Sequence, residues 1–235
     1  MKGIFSKTTD SNFVEAAGIA GLNFIILDCE HGIVNREILC NHIRAAKLTK
    51  MKAIVRVPSL NKNAIGTVYD LGADMAMVPG VDTIEQMNAV VSAIRFNQER
   101  GVCKFVRAAE YGNLDKEKYF AQQNIKGFSI QLESSEAIMN AAGFFSHEEA
   151  KRCIFFIGPN DLARSVGLPG EITHPDVVKV MENTAKLAKE FEVTLGTFTE
   201  NAEQSIKMRQ LGFSFIAQSV DVNIFLEGCK SIHIS

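Results

Sequence analysis

Two stretches of the chain each end an apolar run on a carboxylate. Phe155-Phe156-Ile157 is cut off by Gly158-Pro159, and Asn160-Asp161 then open a helix-like segment. Gly127-Phe128-Ser129-Ile130-Gln131-Leu132-Glu133 follows the same pattern, with a helical segment from Ser135. In parallel α/β proteins ligands bind at the carboxyl ends of strands. Glu133 and Asp161 would then share one rim. One or two carboxylates completed by water and substrate oxygens are the usual cradle of a hard divalent cation. Other strand-like runs end on equally useful residues, Asp28, Glu30 and His31 after Phe24-Ile25-Ile26-Leu27, and Arg56 after Ala53-Ile54-Val55. A histidine can serve as general base, and a guanidinium can meet a developing oxyanion. Each alone has a plainer reading. A lone loop histidine more often bonds backbone, and a lone arginine usually neutralises a nearby acid. Gln131 and Glu133, two residues apart, share a strand face and could both point into a barrel. A buried unpaired glutamate is costly, however, and calls for a cation. Joint occurrence at strand ends is what favours a site.

The elements that would position these residues follow from the apolar pattern. Strand-like runs begin near Gly3, Phe24, Ala53, Met75, Phe128, Ile154, Val193 and Phe213. Several are apolar throughout, as expected of parallel strands covered on both faces. Helical spacing falls between them, at about 11–20, 35–46, 61–71, 83–95, 175–190, 202–211 and 222–230, with a short helix near Lys116. Asp10 or Ser11 would cap the first, and Pro175 suits a first helical turn. Eight strands alternating with helices over 235 residues predict an α/β fold, a single (β/α)8 TIM barrel spanning 1–235 as one domain. Pro58, Pro79 and Pro159 fall just past strand ends, where the backbone leaves the sheet. An open doubly wound sheet is the alternative, but no G-x-G-x-x-G follows the first strand. The segment 96–126 is the least regular, and 101–112 reads as a long loop with a strand-like core.

With 46% hydrophobic residues, 22% charged and a net charge of -2, composition suggests neither a nucleic-acid nor a membrane partner. No apolar run approaches a membrane span. The N-terminus passes straight into a strand-like run without a signal-peptide core. The five cysteines are scattered without a C-x-x-C pair, which reads as reduced thiols in the cytoplasm.

Taken together, Leu27-Asp28-Cys29-Glu30-His31-Gly32, Val55-Arg56-Val57-Pro58, Gln131-Leu132-Glu133 and Phe156-Ile157-Gly158-Pro159-Asn160-Asp161-Leu162 resemble the HpcH/HpaI family of class II pyruvate aldolases. The resemblance extends to Leu168-Pro169-Gly170 and Ser219-Val220-Asp221. It implies a metal-dependent lyase that reversibly cleaves a 4-hydroxy-2-oxo acid to pyruvate and an aldehyde through a metal-bound pyruvate enolate. By the same resemblance Glu133 and Asp161 are the metal ligands and His31 is the base, acting through water. Arg56 stabilises the enolate, while Gln131, Gly158 and Asn160 contact substrate. Asp70 matches the acid that raises the basicity of the histidine, and Asp28 is a second candidate for orienting it. Mg²⁺ suits oxygen ligands, and Mn²⁺ or Co²⁺ could substitute. The partners implied are a small 2-oxo acid and an aldehyde, together with further copies of the chain in a homo-oligomer, a hexamer by resemblance.

The sequence also departs from the family pattern. Arg95-Phe96-Asn97-Gln98-Glu99-Arg100-Gly101 lacks the prolines of the family loop. The following Arg107-Ala108-Ala109-Glu110-Tyr111 would meet the aldehyde half of the substrate. A Schiff-base aldolase on the same barrel would need a lysine at a strand's inner end, and Lys104 and Lys126 are the only loose candidates. A binding barrel without chemistry is the third reading, disfavoured because base, arginine and both carboxylates are present.

Overall fold

The structure, a computed structural model, describes residues 1–96 and 100–232. Strands β1 (Lys2–Ser6), β2 (Phe24–Asp28), β3 (Lys52–Arg56), β4 (Met75–Val78), β5 (Phe128–Leu132), β6 (Cys153–Ile157), β7 (Thr194–Thr199) and β8 (Phe215–Val220) close a barrel in sequence order. All neighbours pair in parallel, including β8 with β1. Helices α1 (Ser11–Ile19), α2 (Arg36–Leu48), α3 (Lys62–Asp70), α4 (Ile84–Ile94), α5 (Lys116–Asn124), α6 (Ser135–Met139), α7 (Ala141–Ser146), α8 (Pro159–Ser165), α9 (Pro175–Glu190), α10 (Ala202–Gln210) and α11 (Asp221–Ile232) surround it. This is the (β/α)8 barrel expected from the alternation of apolar runs.

Local chemistry starts these helices where the sequence asks. Asp10 caps α1 by accepting from the Asn12 N–H, and Asn35, Asn61, Ser134 and Asn201 cap α2, α3, α6 and α10 in the same way. Thr83 and Gln86 form a reciprocal capping box at α4, and Pro175 occupies the first turn of α9.

Alternation along each strand divides the apolar residues into two cores. One set points outward against the helices, as with Ile25, Leu27, Val55, Ile130 and Phe155. The other fills the barrel axis with Phe5, Phe24, Ile26, Ile54, Met77, Ile154, Phe156, Phe215 and Ala217. The axis is unusually aromatic. Phe24 stacks on Phe215 with centroids 3.7 Å apart, and Phe5 meets Phe156 and Phe198 edge-on at 6.0 and 5.9 Å. Those rings need room, and glycine provides it. A Cβ on Gly196 would stand 2.8 Å from the Phe215 carbonyl and 3.0 Å from the Phe156 ring.

The segment 101–112 holds no strand. Val102 and Phe105 are exposed, whereas Val106, Ala108 and Ala109 pack with Phe96 and Tyr119, and the segment ends in a helical turn, Arg107–Gly112. Asn97, Gln98 and Glu99, part of the loop set apart from the family pattern, lie outside the described residues. Among the described residues no helix is long and apolar enough to cross a membrane.

Gly196→Ala should therefore overpack the axis and destabilise the fold by about 1–3 kcal/mol. A thermal melt should show a drop of several degrees; an unchanged midpoint would mean that the rings have slack.

Candidate active site

At the carboxyl end of the barrel seven of the eight strands contribute to one mouth. A cavity of about 260 Å³ there is lined by Phe5 and Lys7 after β1, His31 after β2, Arg56 of β3, and Gln131 of β5. Phe156 and Gly158–Asp161 from β6 and α8, Phe198 of β7 and Val220 of β8 complete the wall. Glu133 stands just past β5, close enough that a Cβ on Gly158 would lie 3.4 Å from its Cβ and Oε2.

The strand register explains the centre of the site. Asp28 and Arg56 end adjacent strands as register partners, so both side chains enter the barrel side by side. Arg56 binds the carboxylate with both arms of its fork, Nε to Oδ1 at 3.0 Å and Nη2 to Oδ2 at 2.8 Å. Its third nitrogen, Nη1, reaches Glu30 Oε2 at 2.9 Å, and its face lies 5.0 Å from the Phe5 ring. Burial alone would raise the Asp28 carboxyl. The hydrogen bonds and charge of Arg56, with the N–H groups of His31 and Glu30, outweigh it and hold the group below the usual range. Those two N–H groups wrap the loop around the carboxylate, and Gly32 lets it close, since a Cβ there would fall 2.1 Å from the Asp28 carbonyl.

Asp28 thus braces Arg56 and the backbone of the His31 loop. The acid nearest the imidazole is Glu30, with Oε2 at 3.8 Å from Nε2. The ring is exposed and faces the cavity.

Glu133 has a different environment. Its Oε1 accepts from the Gly80 N–H at 2.8 Å and its Oε2 from Gln131 Nε2 at 3.0 Å. No lysine or arginine pairs with it among the described residues. Burial, then the charges of Asp161 and Glu30, push its carboxyl up to about 7 despite the Gly80 hydrogen bond. Among the described residues the ion-pair partner of Asp161 is exposed Arg164, at 3.3 Å. Gln131 is buried, and its Oε1 lacks a donor. Two under-neutralised carboxylates beside an orphaned amide oxygen form an all-oxygen donor set, which suits a hard divalent cation and its waters. No group of three or more His, Cys, Asp or Glu gathers among the described residues, so water and substrate would fill the remaining positions.

Gly158 caps α8 without a side-chain acceptor, and Asn160 lines the cavity from its first turn. Asp70 is not brought to this group. It ends α3, which runs back to the foot of the barrel just ahead of β4, and there its carboxylate accepts from Arg100 Nη2 at 2.6 Å. Arg107 lies beside it, donating to the Leu71 carbonyl at 3.1 Å, so the segment 107–111 is also away from the mouth of its own chain. Lys126 precedes β5 at that same foot, and Lys104 lies in the loop before Arg107, against Phe105. Neither is a Schiff-base lysine of this cavity.

Sequence reasoning passed over Glu30 as a partner of Arg56 and missed Lys7 entirely. The signal for both was position, since each follows a strand's carboxyl end.

The family model for HpcH/HpaI aldolase/citrate lyase matches residues 2–228. The chain is 30% identical over 233 residues to a 2-keto-3-deoxy-L-rhamnonate aldolase of Salmonella gallinarum, covering 97% of this chain and 86% of that one. It is 31% identical over 229 residues to the enzyme of that name from Klebsiella pneumoniae, covering 96% and 84%. The fold is similar to that of an HpcH/HpaI aldolase/citrate lyase family protein from Burkholderia cenocepacia, with a TM-score of 0.92, 26% identity, and 99% and 92% of the two chains covered.

The raised Glu133 carboxyl has a measurable consequence. The folded metal-free protein holds a proton there that the unfolded chain releases above about 4.5. Stability from this group is present below that pH and is lost as pH rises through about 7. The melting temperature of metal-free protein should therefore fall across that window, and Glu133→Gln should flatten the decline. An equally steep decline in the variant would assign it to another group.

Proposed function

The chain belongs to the HpcH/HpaI aldolase/citrate lyase family and is a class II, divalent-metal-dependent pyruvate aldolase; we propose that His31, Arg56, Glu133 and Asp161 carry its reaction. It cleaves a 4-hydroxy-2-oxo acid reversibly to pyruvate and an aldehyde. The 2-keto-3-deoxy sugar acid named for its relatives belongs to the substrate class proposed here. The observation that carries the reading is the clamped Arg56, held by Asp28, Glu30 and Phe5 in the same mouth as two under-neutralised carboxylates.

Glu133 and Asp161 would hold the cation, which we take to be Mg²⁺ with Mn²⁺ or Co²⁺ able to replace it. When bound, the cation supplies Lewis-acid polarisation of the 2-oxo acid. Gln131, Gly158 and Asn160 line the surface on which that acid lies. In the synthetic direction His31, through water, takes a proton from the pyruvate methyl group and returns it to the aldehyde oxygen. In cleavage the transfers reverse. Arg56 places fixed positive charge where the C2 oxygen gains negative charge. Because Asp28 and Glu30 already orient it, little reorganisation accompanies the reaction.

We further propose a homo-oligomer in the cytoplasm, a hexamer by family likeness. The exposed apolar residues Phe13, Ile224, Phe225 and Leu226 around α11 support association, and the free state of all five cysteines supports the compartment. Within one chain Asp70 is bound to Arg100, so a role toward His31 would have to be played across a subunit boundary.

Glu133→Gln and Asp161→Asn should each abolish Mn²⁺ binding in a titration while keeping the fold; wild-type affinity in either would remove the metal site from these residues. Arg56→Lys keeps the charge but loses the fork. It should cut turnover by on the order of 10²-fold while pyruvate affinity changes much less, since the oxyanion exists fully only after proton removal. A large affinity loss with no turnover in either form would mark a binding barrel.

A further inference from the structure

Lys7 is the one cation at the mouth that the reaction above leaves without a task. It follows β1, which stands across the eight-stranded ring from β5 and Glu133. Its backbone is pinned. The Lys7 N–H donates to Asp221 Oδ1 and Oδ2 at 3.0 and 3.1 Å, the Thr8 N–H to Oδ2 at 3.2 Å, and the Ser6 hydroxyl to Oδ2 at 2.6 Å. The side chain, by contrast, is free to serve a ligand. Among the described residues its ammonium has no hydrogen-bond acceptor, and its nearest partner is Asp28 Oδ2 at 3.6 Å. That oxygen is already bound by Arg56 Nη2 at 2.8 Å. Phe5, Phe198 and Val220 are apolar residues lining the same cavity. Charge–charge interactions are stronger in such surroundings than in open water.

We propose, on the aldolase reading, that Lys7 is a catalytic residue whose ammonium binds the C4 oxygen of the hydroxy-oxo acid as that oxygen gains negative charge. The 2-oxo acid end lies at Glu133 and Asp161, so C4 is carried across the mouth towards β1. Lys7 and Arg56 approach the same carboxylate oxygen at 3.6 and 2.8 Å, which places their cationic heads within about 6 Å of each other. Carbons C2 and C4 are separated only by C3, so their oxygens stand in a 1,3 relation that two such heads can bracket. One cation then serves each oxygen, Arg56 at C2 and Lys7 at C4. In cleavage the C4 hydroxyl gives its proton to His31 and its oxygen becomes the aldehyde carbonyl. The C3–C4 electron pair passes into the enolate, which later takes a proton at C3. Lys7 neither gains nor loses a proton; it donates hydrogen bonds throughout.

Two half-reactions separate this role from others. Exchange of pyruvate methyl protons uses only the C2 oxygen, whereas cleavage uses both. With Mn²⁺ supplied, Lys7→Met should exchange pyruvate protons within about twofold of wild type, which also shows that the site is folded. Cleavage should fall ~10²-fold, by analogy with loss of one oxyanion donor. The loss should be alike for substrates yielding neutral and acid-bearing aldehydes, and Lys7→Arg should recover part of it. Unchanged cleavage, equal loss of exchange and cleavage, or a loss confined to acid-bearing substrates would overturn the assignment. So would a borohydride-trapped pyruvate adduct present in wild type and absent in Lys7→Met. Wild-type enzyme that neither exchanges nor cleaves would overturn the aldolase reading itself.

Discussion

The bidentate pair between Asp28 and Arg56 is the constraint on which the mouth depends. Asp28 is fully buried, and a carboxylate so placed is tolerable only when paired and hydrogen-bonded. Its two oxygens serve the guanidinium fork and the N–H groups that shape the His31 loop. A single acid thereby fixes the Arg56 guanidinium directly and the His31 loop through backbone. The pair exists because two adjacent parallel strands end in register.

Around that pair the charges are sorted by position in the ring. Lys7 and Arg56 stand with Asp28 and Glu30 on the side of β1 to β3, where opposite charges balance. Glu133 and Asp161 stand on the side of β5 and β6, where they do not. Repulsion and burial on the second side leave Glu133 near neutrality in pH. On the proposed reading, a cation entering there would relieve that repulsion, and the oxyanion would meet positive charge already in place. The polarity of the mouth thus matches a substrate that must be anchored at one end and gain charge at the other.

Much of this was legible in the residue order. Apolar runs such as Phe24–Leu27 and Phe128–Leu132 announced buried parallel strands, and polar residues after them announced the rim. What the order could not convey were relationships set by three-dimensional direction. Asp28 lies near His31 in sequence, yet its side chain is turned to Arg56, 28 positions on, by strand register. Asp70 reads as neighbour to the site until α3 is seen to carry it to the opposite end. Lys7 drew no notice because the residue that holds its backbone at the mouth, Asp221, lies 214 positions away. The exposed apolar residues of 101–112 mimicked a strand without a partner to bury them.

The contact between the Lys7 loop and Asp221 also orders events during synthesis. β1 leaves the ribosome before the other seven strands, and β8 with α11 after them. The barrel seam joins them, and the N-terminal amine closes it against the Ser214 carbonyl. Such a pairing carries the largest loop-closure cost in the chain and forms late. Until it forms, the sheet has two open edges, and the loop bearing Lys7 has no acceptor for its N–H groups. Strands β2 to β6 can therefore pair before the β8–β1 seam, and with it the anchored Lys7 loop, is in place. The complete mouth needs β1 and β8 together.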